Sequence, residues 1–376
     1  MNFSLSEDHT VLRDAAADFL RDQVNLAPLL VPGADAHQAP YDTLWSRLCE
    51  LGWPAMAVPE AHGGLGMSEI DVAIVLRECG RTLAPTPLLG TLAGTWALLA
   101  AGSAAQQAQW LPQVAEAGLR MALATAPSSG DAGATGADVT ATAQADGTHR
   151  LNGSSHFVLD APGAQLLVVA AMLEGQKRLF LVSADQTGID TEWLAWRDIT
   201  RQVAHLHLKD VAGECMPGDW DITWPTLRNR LHTALAAESA GGLQAVLDDT
   251  TAYVKERVAF GRPIGAYQSI KHGLADMLAQ TECTNTAVLY AAWAQSQDER
   301  TATLASAMAQ AYASEAYRDA THRSIQMFGA IGFTWEMKNH LYFKRARANA
   351  AWLGSPAEQR ELIARTLEGP GTTTPH

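Results

Sequence analysis

The chain has 376 residues, of which 47% are hydrophobic and 18% are charged, and its formal net charge is −13 at pH 7. This length allows two or three units with buried cores, and the composition excludes disorder over most of the chain. The negative charge repels nucleic-acid phosphates and anionic lipid surfaces, so we exclude a nucleic-acid-binding role and expect no membrane partner.

The first 118 residues have the periodicity of helices. Apolar residues recur at i, i+3 and i+4 in the segments 12–20 and 44–51. Clusters of Gly and Pro after these segments break the pattern and favour turns. Residues 1–118 are therefore predicted to form a helical N-terminal domain.

Residues 119–222 are predicted to form a small antiparallel β domain. Short runs with strand periodicity are separated by loops rich in Gly, Asp and Ser. Asn152 and Gly153 form a dipeptide that is typical of a tight hairpin turn. The predicted strands span 121–125, 150–151, 166–171, 178–182 and 203–208.

Residues 223–367 return to helical periodicity and are predicted to form a C-terminal four-helix bundle, with long helices at 227–258 and 301–328. The second helix is rich in Ala, which permits close packing and subunit contacts. Gly, Pro and Thr dominate 368–376, which predicts a disordered tail. The predicted fold class is α+β and mostly α.

The four cysteines are far apart and show neither CxxC nor metal-type spacing, which favours free thiols in a reducing compartment. The amino terminus lacks the basic and apolar regions of a secretory signal, and the apolar runs are too short for a transmembrane span. We therefore expect a cytoplasmic protein. The histidines also lack ligand spacing, so no metal site is expected.

Two segments of the C-terminal half carry the strongest functional pattern, ERVAFGRPIGAYQ at 256–268 and QMFGAIGF at 326–333. Arg257 has a planar charged group that can form paired hydrogen bonds to a pyrophosphate, which an ammonium group cannot reproduce. Phe260 offers a flat apolar face. Taken singly, these residues are explained as a solvated cation at a helix end and a core ring, so the interpretation depends on the order and spacing of the whole set.

The same segments contain further residues suited to a cofactor. Gln268 and Gln326 each provide a donor and an acceptor, and Gly329 allows the backbone to approach closely. With ELGW at 50–53 and ECGR at 78–81, this pattern resembles the acyl-CoA dehydrogenase family over nearly the whole chain. The resemblance implies the layout of helical domain, β domain and helical bundle.

The resemblance also implies FAD as cofactor, an acyl-CoA thioester as substrate and an electron-transfer flavoprotein as electron acceptor. In this family the two segments reach across a subunit interface and hold the FAD of the neighbouring protomer. The run 332–346 is most similar to members that assemble from two different subunits and act on bulky, steroid-type acyl-CoA. It therefore implies a paralogous dehydrogenase subunit as partner, in an α2β2 assembly.

The family reaction needs a carboxylate base that removes a proton from the carbon alpha to the thioester. In most members this is a Glu before a Gly in the loop after the last conserved helix, and a second branch places it on the first long helix of the bundle. These positions correspond to Leu353 and Leu231 in this chain. Because leucine cannot accept a proton, the resemblance implies that this chain has lost its own base.

The positions that surround the flavin ring within one subunit are also altered. Thr125 is retained, and Phe157, which stands where the family has Trp, can still pack against the ring. Ala126 and Leu159 stand where the family has Glu and Thr, and Leu159 cannot donate a hydrogen bond to the flavin. The residues that would contact the flavin of a neighbouring subunit are thus retained, whereas the positions around this chain's own flavin are altered.

Two other acids are candidates for a relocated base. Glu238 lies on the same predicted helix as Leu231, on a similar face but about 10 Å further along the axis. It is also explained as a buried or interface carboxylate beside a close helix crossing. Asp160, which follows Leu159, is the weaker candidate.

Three main hypotheses follow from these patterns, and a fourth, minor one is that the flavin site persists for a different elimination chemistry. The chain is either a subunit that completes the FAD site of a paralogous catalytic partner, or an autonomous homomeric dehydrogenase that uses Glu238. The third hypothesis is a non-enzymatic protein that binds CoA thioesters or supports assembly. The acyl group of the substrate stays open at this point.

Overall fold

The computed structural model describes residues 5–131, 133–134, 136–145 and 147–368. Its elements follow the order of helical domain, sheet domain and helical bundle, which confirms the predicted fold class. No helix in these ranges is both long enough and apolar enough to cross a bilayer.

The N-terminal domain consists of helices, three of which have a serine N-cap. Ser6, Ser68 and Ser103 each accept the backbone N–H of the third residue of the following helix, and this fixes where three of the helices begin. The N-terminal domain comprises α1 (Glu7–Gln23), α2 (Tyr41–Glu50), α3 (Glu69–Thr82), α4 (Leu88–Ala101) and α5 (Ala104–Ala117). Helix α4 is buried on almost all of its faces, so the other elements of this domain pack around it.

The central domain is a single twisted sheet. Its strands are β1 (Met121–Ala124), β2 (Val139–Ala143), β3 (His149–Leu159), β4 (Leu166–Leu173), β5 (Gln176–Ser183), β6 (Ile189–Trp193) and β7 (Val203–Cys215). The sheet order is β1-β4-β2-β3-β7-β5, with β6 paired to β7. Strands β2 and β6 were not predicted from the sequence, because they are short and partly exposed and carry a weak apolar alternation.

The sheet is mixed, which differs from the purely antiparallel sheet that was predicted. Strand β1 runs parallel to β4, with Met121 opposite Leu166, whereas β4 pairs antiparallel with β5. Because β2 and β3 lie between β1 and β4 in the chain, this pair is joined by a long crossover rather than by a hairpin. The pairs β2–β3, β3–β7 and β6–β7 are antiparallel.

The predicted turn at Asn152 and Gly153 is wrong, since both residues lie inside β3. The pairing of β3 with β7 shifts register between Leu151 and Gly153, which marks a β-bulge. Gly153 has a φ of 128°, and a Cβ there would overlap the carbonyl oxygen of Asp138. The glycine therefore serves a bulge and a close backbone approach rather than a tight turn.

The C-terminal bundle comprises α6 (Trp220–Glu256), α7 (Gln268–Ala294), α8 (Glu299–Phe328), α9 (Asn339–Ala351) and α10 (Pro356–Glu368). Helix α6 begins before the predicted residues 223 and 227, because Asp219 caps it and Pro225 lies inside the helix instead of ending it. Glu368, the first residue of the predicted disordered tail, is the last residue of α10. The rest of that tail, 369–376, lies outside the described residues.

Candidate functional site

A short hairpin connects α6 to α7 and exposes an aromatic ring at its tip. Strands β8 (Val258–Ala259) and β9 (Arg262–Pro263) flank Phe260, which has a φ of 53° and is 96% exposed. Burial of such a ring stabilises by about 1.5–3 kcal/mol, and this free energy is unused in the single chain, so it is available to a contact with a ligand or another subunit. Tyr267 fixes the hairpin, because its hydroxyl donates to the carbonyl of Ala259 at 3.2 Å.

The end of α8 lies beside this hairpin. The ring of Tyr253 stacks on Phe328 with the centroids 4.0 Å apart, and the Tyr253 hydroxyl donates to the Phe328 carbonyl at 3.3 Å. Gly329 follows with φ 69° and ψ −146°, a conformation that is essentially restricted to glycine. The ends of α6 and α8 are therefore held together, and the chain leaves α8 through a turn that requires glycine.

The structure brings the predicted nucleotide-binding residues to this one end of the bundle. All five are exposed, so none of them is used as core or as an internal ion pair. We call this set the lent half; it consists of Arg257, Phe260, Gln268, Gln326 and Gly329. Its charge, its flat ring and its amides are of the types that can contact a pyrophosphate-containing ligand.

A separate cleft of about 310 Å³ lies between the sheet and the loop before α10. Its lining includes Ala126, Phe157, Trp196 and Leu353, and we call it the Leu353 cleft. Three of these, Ala126, Phe157 and Leu353, are positions that the resemblance places around this chain's own flavin or at its base. Together with Thr125 and Leu159, we call them the home half. The structure therefore brings these three positions together, and each of the three has an apolar side chain.

Phe157 owes its position in this cleft to a second bulge in β3. Its φ is 53°, and the pairing of β3 with β7 shifts register between Ser155 and Val158. The Phe157 N–H donates to Nδ1 of His205 at 3.3 Å, and the two rings lie 5.1 Å apart. The other two predicted home residues lie elsewhere: Thr125 is buried beside the cleft and Leu159 belongs to the core.

Neither position that holds the base in the family offers a carboxylate. Leu353 has a φ of 63° and packs on the main core, and its carbonyl accepts a hydrogen bond from Gln359 at 3.1 Å. Leu231 is fully buried in that core. The leucine at each position therefore continues the apolar interior up to the cleft.

Two carboxylates do line the Leu353 cleft, and both are engaged elsewhere. Glu358 accepts the backbone N–H and the hydroxyl of Ser355 at 2.6 and 2.7 Å, and these hydrogen bonds lower its pKa. A carboxyl group held in this way is a weaker base. Asp131 accepts the N–H of Gly133 at 2.9 Å. Glu358 was missed from the sequence, although Ser355-x-x-Glu358 is the signature of a capping box.

Glu238 lies in a buried ionic cluster and does not line the Leu353 cleft. It is 4% exposed and forms an ion pair with Arg201, and Nη1 of Arg345 lies 4.0 Å from its carboxylate. A Cβ on Gly80 of α3 would overlap the Glu238 carbonyl, so the expected close helix crossing is present. These contacts favour the structural role; the role of base stays a prediction.

Asp160 belongs to the same buried cluster. Its carboxylate accepts the Tyr41 hydroxyl at 3.2 Å and the N–H of Gly90 at 3.0 Å. Burial raises the pKa of Asp160 to about 6. Because Tyr41, Arg201 and Glu238 come from the three successive domains, the cluster joins them by charge and hydrogen bonds. Among the described residues, no group of His, Cys, Asp and Glu is placed to hold a metal ion.

Comparison with known proteins agrees with this architecture. The family models described as acyl-CoA dehydrogenase, N-terminal domain and C-terminal domain match residues 6–118 and 226–368. The acyl-CoA dehydrogenase IpdE2 of Mycobacterium tuberculosis is 32% identical over 367 residues, which cover 97% of this chain and 99% of that protein.

Two solved structures of paired proteins are also similar to this chain. A chain of the ChsE4–ChsE5 complex from Mycobacterium tuberculosis is 26% identical with a TM-score of 0.86, and all of both chains is covered. A chain of the Tcur3481–Tcur3483 steroid acyl-CoA dehydrogenase is 28% identical with a TM-score of 0.86, covering 97% of this chain and 99% of that one.

Proposed function

Because the chain belongs to the acyl-CoA dehydrogenase family, whose members are FAD-dependent oxidoreductases that act on acyl-CoA, we propose that it is the non-catalytic subunit of a heteromeric dehydrogenase. In this role it completes the FAD site of a paralogous subunit that supplies the base. FAD, when bound, supplies the hydride acceptor for α,β-dehydrogenation of the thioester. The chain's own task is to bind and orient the cofactor from across the interface.

The leucine side chains at the two positions where the family has its base carry this proposal. A general base must lie within hydrogen-bond reach of the proton it removes, at about 2.6–3.2 Å or through one water. The residues at the two family positions, Leu353 and Leu231, have no group that accepts a proton. Of the two nearby acids, Glu358 is held by Ser355, which stabilises its ionised form and weakens it as a base.

The lent half supports the cooperative part of the proposal. Arg257 would pair with the pyrophosphate, Phe260 would cover a flat part of the cofactor, and the two amides would hold its polar edges. These side chains point to solvent in the single chain, so their ligand comes from outside this subunit's interior. Retention of these residues, with loss of the base, is expected for a subunit that contacts the FAD of a catalytic partner.

The relatives support a bulky substrate and an α2β2 assembly. The two solved structures each contain two named proteins, and one of them is a steroid acyl-CoA dehydrogenase. We therefore extend the proposal to a steroid-type or similarly bulky acyl-CoA, with an electron-transfer flavoprotein as acceptor. The substrate would bind in the catalytic partner, since this chain's own cleft lacks the base.

Co-expression with paralogous subunits tests the proposal. The chain alone is expected to purify with little flavin and no dehydrogenase turnover, and the complex with the correct partner is expected to be yellow and active. Arg257→Gln should lower the flavin content of that complex. The matched control is Arg300→Gln, which removes the same charge roughly 40 Å away along α8.

Each alternative gives a different result in this experiment. A flavin-loaded homomer that turns over acyl-CoA would replace the proposal by the autonomous enzyme with Glu238 as its base. A stable complex that binds acyl-CoA but no flavin would replace it by the non-enzymatic subunit. Equal flavin loss in the Arg257→Gln and Arg300→Gln complexes would show that the lent half does not hold the cofactor.

A further inference from the structure

A second cleft, of about 480 Å³, lies next to the Leu353 cleft, and the two share Trp196. It is bounded by the turn 33–37 of the N-terminal domain, by residues 193–197 before β7, and by Trp335 and Lys344 at the bundle. We call it the Trp335 cleft. Its volume lies within the range of about 300–1,000 Å³ that is typical of small-molecule sites, and no residue of the lent half lines it.

Aromatic rings form the walls of the Trp335 cleft. The rings of His37 and Trp193 are stacked with their centroids 4.0 Å apart and their planes at 16°. Trp196 and Trp335 contribute two more indoles to the lining. Trp193 is 37% exposed, so its ring remains accessible to a ligand that would extend the stack.

Two cations stand in this cleft without an ion-pair partner among the described residues. Nζ of Lys344 lies 4.8 Å from the centroid of Trp335, and burial lowers the pKa of this lysine, an effect that Asp198 opposes and Arg197 reinforces. Arg197 forms no hydrogen bond or ion pair in the described part of the chain. The buried Asp198 beside them is already paired with Arg345.

The acid in the lining of the cleft, Asp35, forms no ion pair with these cations in the described part of the chain. Asp35 accepts the backbone N–H of His37 at 2.9 Å and thereby caps the short turn that carries the stacked imidazole. In a chain of net charge −13, the half-buried Lys344 and the exposed Arg197 form a local cationic region that suits an anion. An anionic group placed between Lys344 and Arg197 would relieve their mutual repulsion.

We propose that the Trp335 cleft binds an adenine nucleotide, with its phosphates between Arg197 and Lys344 and its base stacked on an indole. A guanidinium and an ammonium group suit phosphate oxygens, and a flat heteroaromatic ring extends the His37–Trp193 stack. An aliphatic ring acid would satisfy the cations but would leave the stack without a planar partner. The nucleotide is either free or the nucleotide end of CoA.

This site is independent of the function proposed above. It uses none of the lent half and shares only Trp196 with the Leu353 cleft. Nucleotide binding to the flavin-free protein therefore reports on it even if the heteromeric assembly fails its own test.

Calorimetric titration of the purified full chain tests the site. ADP is expected to bind more tightly than adenosine or pyrophosphate, since both the ring and the phosphates are used. Lys344→Gln and Arg197→Gln should each weaken ADP binding about tenfold. Lys338→Gln is the matched control, because that lysine pairs with Asp249 at 2.9 Å and lies outside the Trp335 cleft.

Further variants separate this site from the lent half. Arg257→Gln should leave ADP binding unchanged, and Trp193→Leu should weaken ADP binding but not pyrophosphate binding. Tighter binding of adenosine 3′,5′-bisphosphate than of ADP would support the site and identify CoA as the source of the nucleotide. Equal binding of the two would support the site for free nucleotides.

Three results would overturn the proposal. The first is no heat of ADP binding to the wild-type chain at concentrations of about 1 mM. The second is loss of ADP binding in Arg257→Gln with none in Lys344→Gln, which would place the nucleotide on the lent half. The third is binding of the ring acid cholate without any binding of ADP.

Discussion

Nε2 of His232 lies 3.3 Å from the carbonyl oxygen of Leu353, so helix α6 holds the loop residue that faces the cleft. Because a carbonyl only accepts, the imidazole carries its proton on Nε2, and its buried Nδ1 has no partner. Burial, reinforced by Arg228, lowers the pKa of His232 to about 3. The ring is therefore neutral in the folded protein at all pH values near neutrality.

This pKa predicts acid sensitivity. The unfolded chain binds a proton at His232 below about pH 6.5 and the folded chain does not, so stability is full above that pH and is lost as the pH falls toward 3. The expected slope is up to about 1.4 kcal/mol per pH unit from this residue. Urea unfolding at several pH values between 7.5 and 5 should show a flatter decline for His232→Gln, which keeps a donor.

The control for this measurement is His272→Gln, which changes an exposed histidine at the start of α7. Its pH profile should match that of the wild type. Identical slopes for His232→Gln and the wild type would show that His232 is protonated in the folded state or accessible to water.

The ion pair between Glu238 and Arg201 predicts a stability effect rather than a catalytic one. Removal of one partner of a buried pair leaves an uncompensated charge and costs about 3–5 kcal/mol. Glu238→Gln should therefore lower the free energy of unfolding strongly, and the double variant with Arg201→Met should recover part of the loss. The turnover number of the folded complex should stay within about twofold of the wild type.

Turnover of the assembled complex decides between the two roles of Glu238. A turnover number that falls by orders of magnitude with little loss of stability would make Glu238 the base of this chain. The autonomous dehydrogenase would then replace the subunit role.

The sequence predicted the parts of the fold that depend on local patterns. The apolar stripes at 12–20 and 44–51 predicted helices because their signals lie within a few residues of one another, and α1 and α2 occupy these segments. The parallel pairing of Met121 with Leu166 was missed, because it depends on contacts across 45 residues. The dipeptide Asn152-Gly153 predicted a tight turn, whereas the pairing of β3 with β7 produces a β-bulge at Gly153.

The candidate site shows the same division. The residues of the lent half could be named from the sequence because they are close together in two motifs. The structure adds that they lie at one end of the bundle, and their role stays a prediction. The ion pair of Glu238 with Arg201 and the cleft formed by Trp193 and Trp335 join residues far apart in the chain. Residue types and spacing contain no signal for such contacts, so only the fold reveals them.

The exposed ring of Phe260 predicts a loss of function without a loss of stability. Since the ring is 96% exposed, Phe260→Ala should change the free energy of unfolding of the isolated chain by less than about 0.5 kcal/mol. In the complex it should weaken FAD binding about tenfold, because an aromatic contact is lost. Flavin absorbance after gel filtration measures this effect.

Ile222→Ala is the matched control, since it also removes an apolar side chain that is 77% exposed. It should leave both stability and flavin content unchanged. A fall in the stability of the isolated chain for Phe260→Ala would indicate that the ring packs within its own subunit.

A carboxylate introduced at Leu353 tests whether the home half lacks only a base or also lacks the contacts that bind a flavin. Leu353→Glu would place an acid in the cleft beside Phe157, but Ala126 and Leu159 would still stand where the family contacts its flavin. The isolated variant should therefore remain without flavin and turnover, and the complex should keep its wild-type turnover number. Leu353→Gln, which has the same shape without the charge, should behave identically. Flavin binding and turnover in isolated Leu353→Glu but not in Leu353→Gln would show that a complete cofactor site survives here and lacks only a proton acceptor.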